Sequence, residues 1–317
     1  MPGTTAQTTV LDHGITAIDT EYARPLQDAS HLIVENGRAA FVDTGVNSSV
    51  PMLLDALAGQ DLEVGDVDYV FLTHVHLDHA GGAGTLMQAL PNAQCVIHPR
   101  GARHMIDPSK LIAGTEAVYG KQIMQDMYGT ILPIDAERVV VTEDEQSFSL
   151  NGRELVALHT EGHARHHYCL YDPTSHGVFT GDSFGVSYRE LDTAAGEFIF
   201  PTTTPVQFDP DEAHRSVDRI MSLSPQRVYL THYSEVQNLD RLANDLHRGL
   251  DTFVSIATKH RDVEERTAAI ETAIFDYFVE GLIEHGFDDD RDRIWSVLNL
   301  DVRLNTQGLE HWLNTTG

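Results

Sequence analysis

Four side chains that bind divalent metal ions fall within six residues, His74-Val75-His76-Leu77-Asp78-His79. They follow an apolar run, Val67 to Leu72, and precede Gly81-Gly82, which reads as a loop at a strand end. In extended backbone alternate side chains share a face, so His74 and His76 can grip one ion together. The turn that follows can aim Asp78 and His79 at a second ion. Imidazole nitrogen and carboxylate oxygen suit zinc, iron and manganese.

This segment resembles the H-x-H-x-D-H signature of the metallo-beta-lactamase superfamily, and the resemblance implies three further ligands in a fixed order. Each is present at the end of an apolar strand-like run. His163 follows Gly162 after Leu155 to His159, Asp182 closes Gly177 to Gly181, and His232 closes Arg227 to Thr231. On the family pattern His74, His76 and His163 would hold one metal, Asp78, His79 and His232 the other, and Asp182 would bridge them. Asp43-Thr44-Gly45, after the apolar Ala39 to Val42, also fits, with Asp43 ordering the metal loop from behind the ligands. The loop at His163 departs from the frequent family form G-H-T-x-G-H. It reads Gly162-His163-Ala164-Arg165-His166-His167, which keeps His167 as a supporting residue and puts His166 where glycine is common.

The resemblance covers roughly residues 10 to 235 and implies an α/β fold, a four-layer αβ/βα sandwich of two stacked sheets with helices outside. The element order agrees. Ile15–Ile18, His31–Val34 and Ala39–Val42 read as strands, with an Asn36-Gly37 turn between the last two. A helix is expected near Ser49–Ala58, with Pro51 in its first turn and Gly59 at its end. A helix near Gly82–Leu90 and a strand at Gln94–His98 follow. Strands are expected near Val139–Val141, Glu154–Leu158, Tyr168–Tyr171 and Val178–Thr180, then a helix from Asp209 or Asp211 to Leu223. After Asn238 three amphipathic stretches, Leu239–His260, Val263–His285 and Arg291–Leu313, predict a helical tail. The domain division expected is 1–237 for the catalytic domain and 238–317 for a helical C-terminal extension, which would either roof the site or form a homodimer contact.

Composition sets further limits. At 317 residues and 41% hydrophobic, the chain can bury a large core. No run reaches the ~18 apolar residues of a membrane helix, and Met1 to Val10 has no signal-like core, so no membrane association and a cytoplasmic location are expected. A net charge of -27 repels polyanions, which argues against nucleic acid. Aspartate outnumbers glutamate, and lysine occurs only at 110, 121 and 259, a bias of salt-adapted proteins or of ordinary acidic ones. Cys95 and Cys169, each in an apolar run, are expected as buried free thiols.

The chemistry expected is that of two divalent ions, zinc first with iron or manganese as alternatives, sharing a water whose pKa falls from ~15.7 towards ~7. The resulting hydroxide would attack an ester-type bond of a small molecule, a thioester or a lactone, with Asp78 able to carry the proton to the leaving group. Two stretches are expected to shape substrate choice. One is a mostly helical insertion between Leu111 and Pro133, carrying Tyr119, Met124, Met127 and Tyr128. The other is the long segment Phe184–Phe208, whose Phe184 and Tyr188, together with His166, are candidate substrate contacts. Competing readings are an iron-dependent, dioxygenase-like oxidoreductase on the same scaffold, and a metal-bearing binding or regulatory protein.

Overall fold

The computed structural model describes residues 6–203, 206–288 and 290–316; the side chains of Val118 and Tyr119 lie outside the described set, and with them the pocket role expected for Tyr119. The chain divides into two compact units. The first comprises residues 1–159, 166–181 and 226–235, and the second 160–165, 182–225 and 236–317. The helical tail after residue 238 therefore does not stand by itself: the segments 160–165 and 182–225 cluster with it.

The first unit is built on two sheets. In one, seven strands lie in chain order: β1 Thr8–Val10, β2 Ile15–Asp19, β3 Ala29–Glu35, β4 Arg38–Val42, β5 Val67–Leu72, β6 Gln94–Ile97 and β7 Val139–Val141. Pairing is antiparallel up to β4 and parallel from β4 to β7. The hairpin between β3 and β4 turns at Asn36 and Gly37, both with positive φ, as the favoured two-residue hairpin turn demands. The second sheet runs β13-β12-β11-β10-β9-β8, with β8 Gln146–Leu150, β9 Arg153–His159, β10 Tyr168–Asp172, β11 Gly177–Gly181, β12 Arg227–Leu230 and β13 Ser234–Val236.

The sheets pack face to face. Ile15, Ile33, Val42, Phe71 and Val96 of the first share one buried cluster with Phe148, Leu155, Leu170, Phe179 and Tyr229 of the second. The other face of the first sheet is covered by α1 Val50–Ala58, α2 Leu77–Ala80, α3 Ala83–Ala89 and α4 Pro99–Ile106, through Leu53, Leu57, Ala80, Leu86 and Met105. The insertion is helical as expected, α5 Ser109–Tyr119 and α6 Lys121–Tyr128. Met124 and Tyr128 are buried against Tyr22 and Leu77, and the Tyr22 and Tyr128 hydroxyls are hydrogen-bonded at 3.0 Å. Cys95 and Cys169 are both buried, and neither forms a disulfide.

The second unit holds α7 Pro210–Ser222, capped by Asp209, whose carboxylate accepts from the Glu212 N–H, and the tail helices α8 Leu239–Lys259, α9 Arg266–Glu284 and α10 Arg291–Thr315. The tail pins the segment that follows Asp182. The Thr203 N–H donates to Asn305 Oδ1 at 2.7 Å, the Thr193 hydroxyl to the His285 carbonyl at 2.6 Å, and Phe200 packs on Phe278 with ring centroids 4.8 Å apart. A long segment without its own helical pattern is ordered here by groups from α9, its C-terminal end and α10.

Candidate metal centre

The metal-loop residues sit where β5 ends. His74 follows the bend at Thr73, His76 has extended backbone, and α2 starts at Leu77, which carries Asp78 and His79 round a turn. His74 is fully buried, its Nδ1 is 3.2 Å from the Thr73 hydroxyl, and its Nε2 lies 2.9 Å from His76 Nδ1. Two ring nitrogens from alternate residues thus converge on one point.

Behind the loop stands Asp43, at the end of β4 and almost wholly buried. Its φ of 56° lies in the left-handed region, which aspartate tolerates better than most residues. The carboxylate accepts from the Thr73 N–H at 2.9 Å, from the Thr73 hydroxyl at 2.8 Å, from the Thr231 hydroxyl at 2.8 Å and from His79 Nδ1–H at 2.9 Å. Fixing Nδ1 as the protonated nitrogen turns Nε2 of His79 forward as a lone-pair donor. Thr44 adds a second restraint, its N–H donating to the His79 carbonyl at 2.7 Å.

His232 follows β12, and its Nδ1 is met by a backbone carbonyl, with a carboxylate in ion-pair contact beside it. Its Nδ1 is 2.5 Å from Asp28 Oδ1 and 3.2 Å from the Gln27 carbonyl, and Asp28 is fully buried. Asp78 Oδ2 stands 3.9 Å from His79 Nε2 and 3.8 Å from His232 Nε2, with a quarter of the Asp78 side chain exposed. The Asp78, His79 and His232 ligand atoms all lie within 4.8 Å of one another, close enough for one ion to reach all three.

Around these groups His167 is fully buried and stacks on His74 at 4.9 Å between ring centroids. The bend at Gly181 makes room for it. With φ at +47°, a Cβ there would stand 2.7 Å from His167 Nε2 and 2.6 Å from the Thr73 hydroxyl. His166 is buried beside His74 and His76, and its Nδ1 accepts from the Val75 N–H at 3.5 Å.

The remaining sequence-predicted residues belong to the second unit. There His163 Nε2 is 3.3 Å from Asp182 Oδ2, and a small void of about 20 Å³ adjoins the pair, bounded by Ser183, Gly185 and Thr202. The loop carrying His163 rests on α7. Gly162, at φ +119°, lets it approach so closely that a Cβ would stand 2.4 Å from the Ala213 nitrogen, and the Ser216 hydroxyl donates to the Glu161 carbonyl at 2.6 Å. Phe184 and Tyr188 are core side chains in this structure; the Tyr188 hydroxyl donates to Asp301 at 3.0 Å, so neither offers surface to a solute. A cleft of about 790 Å³ lies wholly within this unit against α8 and α9, beside Phe198, Arg241, Arg248, Tyr277 and His285.

Three of the supporting residues escape a sequence reading. Asp28, Thr73 and Thr231 carry no motif of their own; only the fold reveals that Asp28 holds His232 and that both threonines hold Asp43.

A family model for the metallo-beta-lactamase superfamily matches residues 23–232. The chain belongs to this superfamily. It is 28% identical over 197 residues to the metallo-beta-lactamase fold-containing protein ST1585 of Sulfurisphaera tokodaii, covering 60% of this chain and 67% of that protein. The crystal structure of ST1585 matches with a TM-score of 0.64 at 22% identity, over 95% of this chain and 99% of that one, which shows the fold. An atrochrysone carboxyl ACP thioesterase of Aspergillus fumigatus is 26% identical over 204 residues, 63% of this chain and 50% of the relative. A probable hydroxyacylglutathione hydrolase of Schizosaccharomyces pombe is 24% identical over 202 residues, 63% of this chain and 59% of the relative. The chain therefore spans only about half to three fifths of the length of these last two. Two sheets with flanking helices, plus C-terminal helices, make up the superfamily's α/β sandwich as expected, and the fold implies divalent metal ions. Among the described residues no helix is long and apolar enough to cross a membrane.

Proposed function

We propose that the protein is a dinuclear metal-dependent hydrolase of an ester-type bond in a small molecule, a thioester in preference to a lactone. The observation that carries this reading is the pair of histidines His79 and His232. Each has a buried carboxylate on Nδ1 and turns Nε2 towards Asp78. Such backing fixes the tautomer and raises the basicity of the nitrogen left for a metal. Two imidazoles and a carboxylate are a donor set for zinc, with iron or manganese as alternatives.

The full ligand set proposed is the one the family pattern designates: His74, His76 and His163 on one ion, Asp78, His79 and His232 on the other, with Asp182 shared. When bound, two divalent cations supply Lewis acidity, polarising the acyl oxygen and acidifying a water. The chain's own residues do the rest. Asp43 and Asp28 hold two ligands in position before substrate arrives, so little reorganisation is left for the reaction. Asp78, whose side chain is a quarter exposed, is the proposed carrier of a proton to the leaving group. His166, beside His74 and His76, is the proposed substrate contact in the first unit. Thioesters are favoured because two relatives bear the names of an acyl carrier protein thioesterase and an acylglutathione hydrolase.

Elemental analysis of protein purified without added metal, followed by a thioester, lactone and phosphodiester panel on the same sample, tests the reading. About two ions per chain with thioester turnover is expected. Asp182→Asn should lower bound metal and turnover together by orders of magnitude, and a fully loaded, fully active variant overturns the bridging role. A single iron with oxygen uptake and no hydrolysis overturns the function.

A further inference from the structure

A second set of histidines and carboxylates lies on the surface of the second unit. His214 and Asp218 are one turn apart on α7, and His247 and Asp251 are one turn apart on α8. The two pairs are crossed. His214 Nε2 is 3.3 Å from Asp251 Oδ1, and His247 Nε2 is 3.2 Å from Asp218 Oδ1. Between the rings the two Nδ1 atoms stand 2.6 Å apart, with the ring planes inclined by only 6° and the centroids 4.9 Å apart. A nitrogen–nitrogen separation of 2.6 Å is far shorter than contact between ring faces, so the imidazoles meet edge to edge, nitrogen to nitrogen.

This arrangement fixes which nitrogens are available. Each Nε2 has a carboxylate oxygen in ion-pair contact, which favours the proton on Nε2 and leaves each Nδ1 lone pair pointing at its counterpart. Two facing lone pairs need a positive centre between them. A proton can fill that place, and so can a divalent transition-metal ion. The carboxylates favour the ion, since their two negative charges balance a double positive charge. The basic residues next in sequence leave them to do so: Arg215 is engaged by Glu212 at 2.6 Å, and Arg248 by Asp245.

We infer that His214 and His247 form a surface clamp for a divalent transition-metal ion that joins α7 to α8, with Asp251 and Asp218 orienting the two imidazoles. Nitrogen donors select zinc, nickel or copper over magnesium and calcium. Two nitrogens on a tetrahedral ion at zinc–imidazole bond lengths lie about 3.4 Å apart, so the rings separate by roughly 0.8 Å on binding. With about a quarter of each ring exposed, water completes the coordination. The ion would sit on the stretch of α7 where Ala213 and Ser216 support the loop carrying His163, and so stiffen that support. The inference does not depend on the hydrolytic reading.

The untagged full chain, as purified and then dialysed against metal-free buffer, is titrated with copper(II) while the copper is followed by electron paramagnetic resonance, and total metal is counted. One additional equivalent per chain is expected, with coupling to two imidazole nitrogens, and it should be absent in His247→Gln. Asp218→Asn and Asp251→Asn, exposed changes that leave both imidazoles in place, should each weaken the additional site by about 10- to 100-fold. If His247→Gln binds the same number of ions as the parent chain, or if the parent takes up no additional ion, the pair holds only a shared proton and the clamp is overturned.

Discussion

Histidines with a carboxylate beside the ring occur in both units, and two such settings differ in burial. In the first unit Asp43 backs His79 and Asp28 backs His232, with all four side chains nearly or fully out of solvent. In the second, Asp251 backs His214 and Asp218 backs His247, and the carboxylates are 78% and 73% exposed. In the buried pair both carboxylates have lost their water: Asp28 has the ion-pair contact with His232 Nδ1 at 2.5 Å, and Asp43 is hydrogen-bonded by protein groups. Asp43 accordingly draws on Thr73, Thr231 and His79 together. The exposed pair is solvated and screened, and needs no such network. The same dyad is therefore part of the fold in one place and an attachment to it in the other.

Asp43→Asn is the sharpest way to break the comparison. Asparagine also tolerates a φ of 56°, so the backbone conformation survives and the charge alone is lost. Its amide nitrogen then faces hydroxyl and imidazole donors that it cannot accept from. Stability of the metal-free protein should fall by about 3–5 kcal/mol in urea unfolding, and metal affinity by about 10- to 100-fold in competition with a chelator. Near-native values on both counts would show that the network is incidental.

That network also marks how far the sequence could be read. The hairpin at Asn36-Gly37, the strand Val67–Leu72 and the three tail helices follow from local pattern, and the structure has them within a few residues of the expected bounds. Strand Gln146–Leu150 was not legible, because its two serines weaken the apolar alternation. Helix Pro99–Ile106 was hidden by an uncommon cap, His98, whose Nδ1 accepts from the Arg100 N–H. Asp28 and Thr231 could not be found at all. Thr231 meets Asp43 across 188 residues of chain, a contact that only the assembled sheets create. The segment after Asp182 reads in sequence as a pocket wall, whereas its Phe184 and Tyr188 are packed in the core.

His31 supplies the case of a buried histidine without a carboxylate on its ring. It packs against the stacked rings of Phe179 and Tyr229, and burial lowers its pKa from 6.5 to about 4 although the charge of Asp43 pulls the other way. The folded state thus binds this proton more weakly than the unfolded chain does. Between pH 6.5 and pH 4 the unfolded state carries the extra proton, so stability is full above that window and is lost as the pH falls through it. At pH 5 the loss from this residue is about 2 kcal/mol relative to pH 7.5. His31→Phe should flatten the pH dependence of the unfolding free energy by that amount, whereas an unchanged slope would show that His31 is protonated in the folded protein.

The smallest effect expected on folding comes from Asp251→Asn, and its smallness is what gives the comparison force. The carboxylate is mostly in water and pairs with one imidazole, so without metal the substitution should change the unfolding free energy by no more than about 0.5 kcal/mol. With zinc or copper present the variant should lose part of the thermal upshift that the parent chain shows, because the imidazole keeps its lone pair but not its orientation. Asp43→Asn lowers stability and affinity together; Asp251→Asn should separate them. A loss of several kcal/mol from Asp251→Asn in metal-free protein would mean that exposure does not distinguish the two dyads, and that the helix pair is held by its charges rather than by the apolar packing of Val217, Leu246 and Leu250 beneath them.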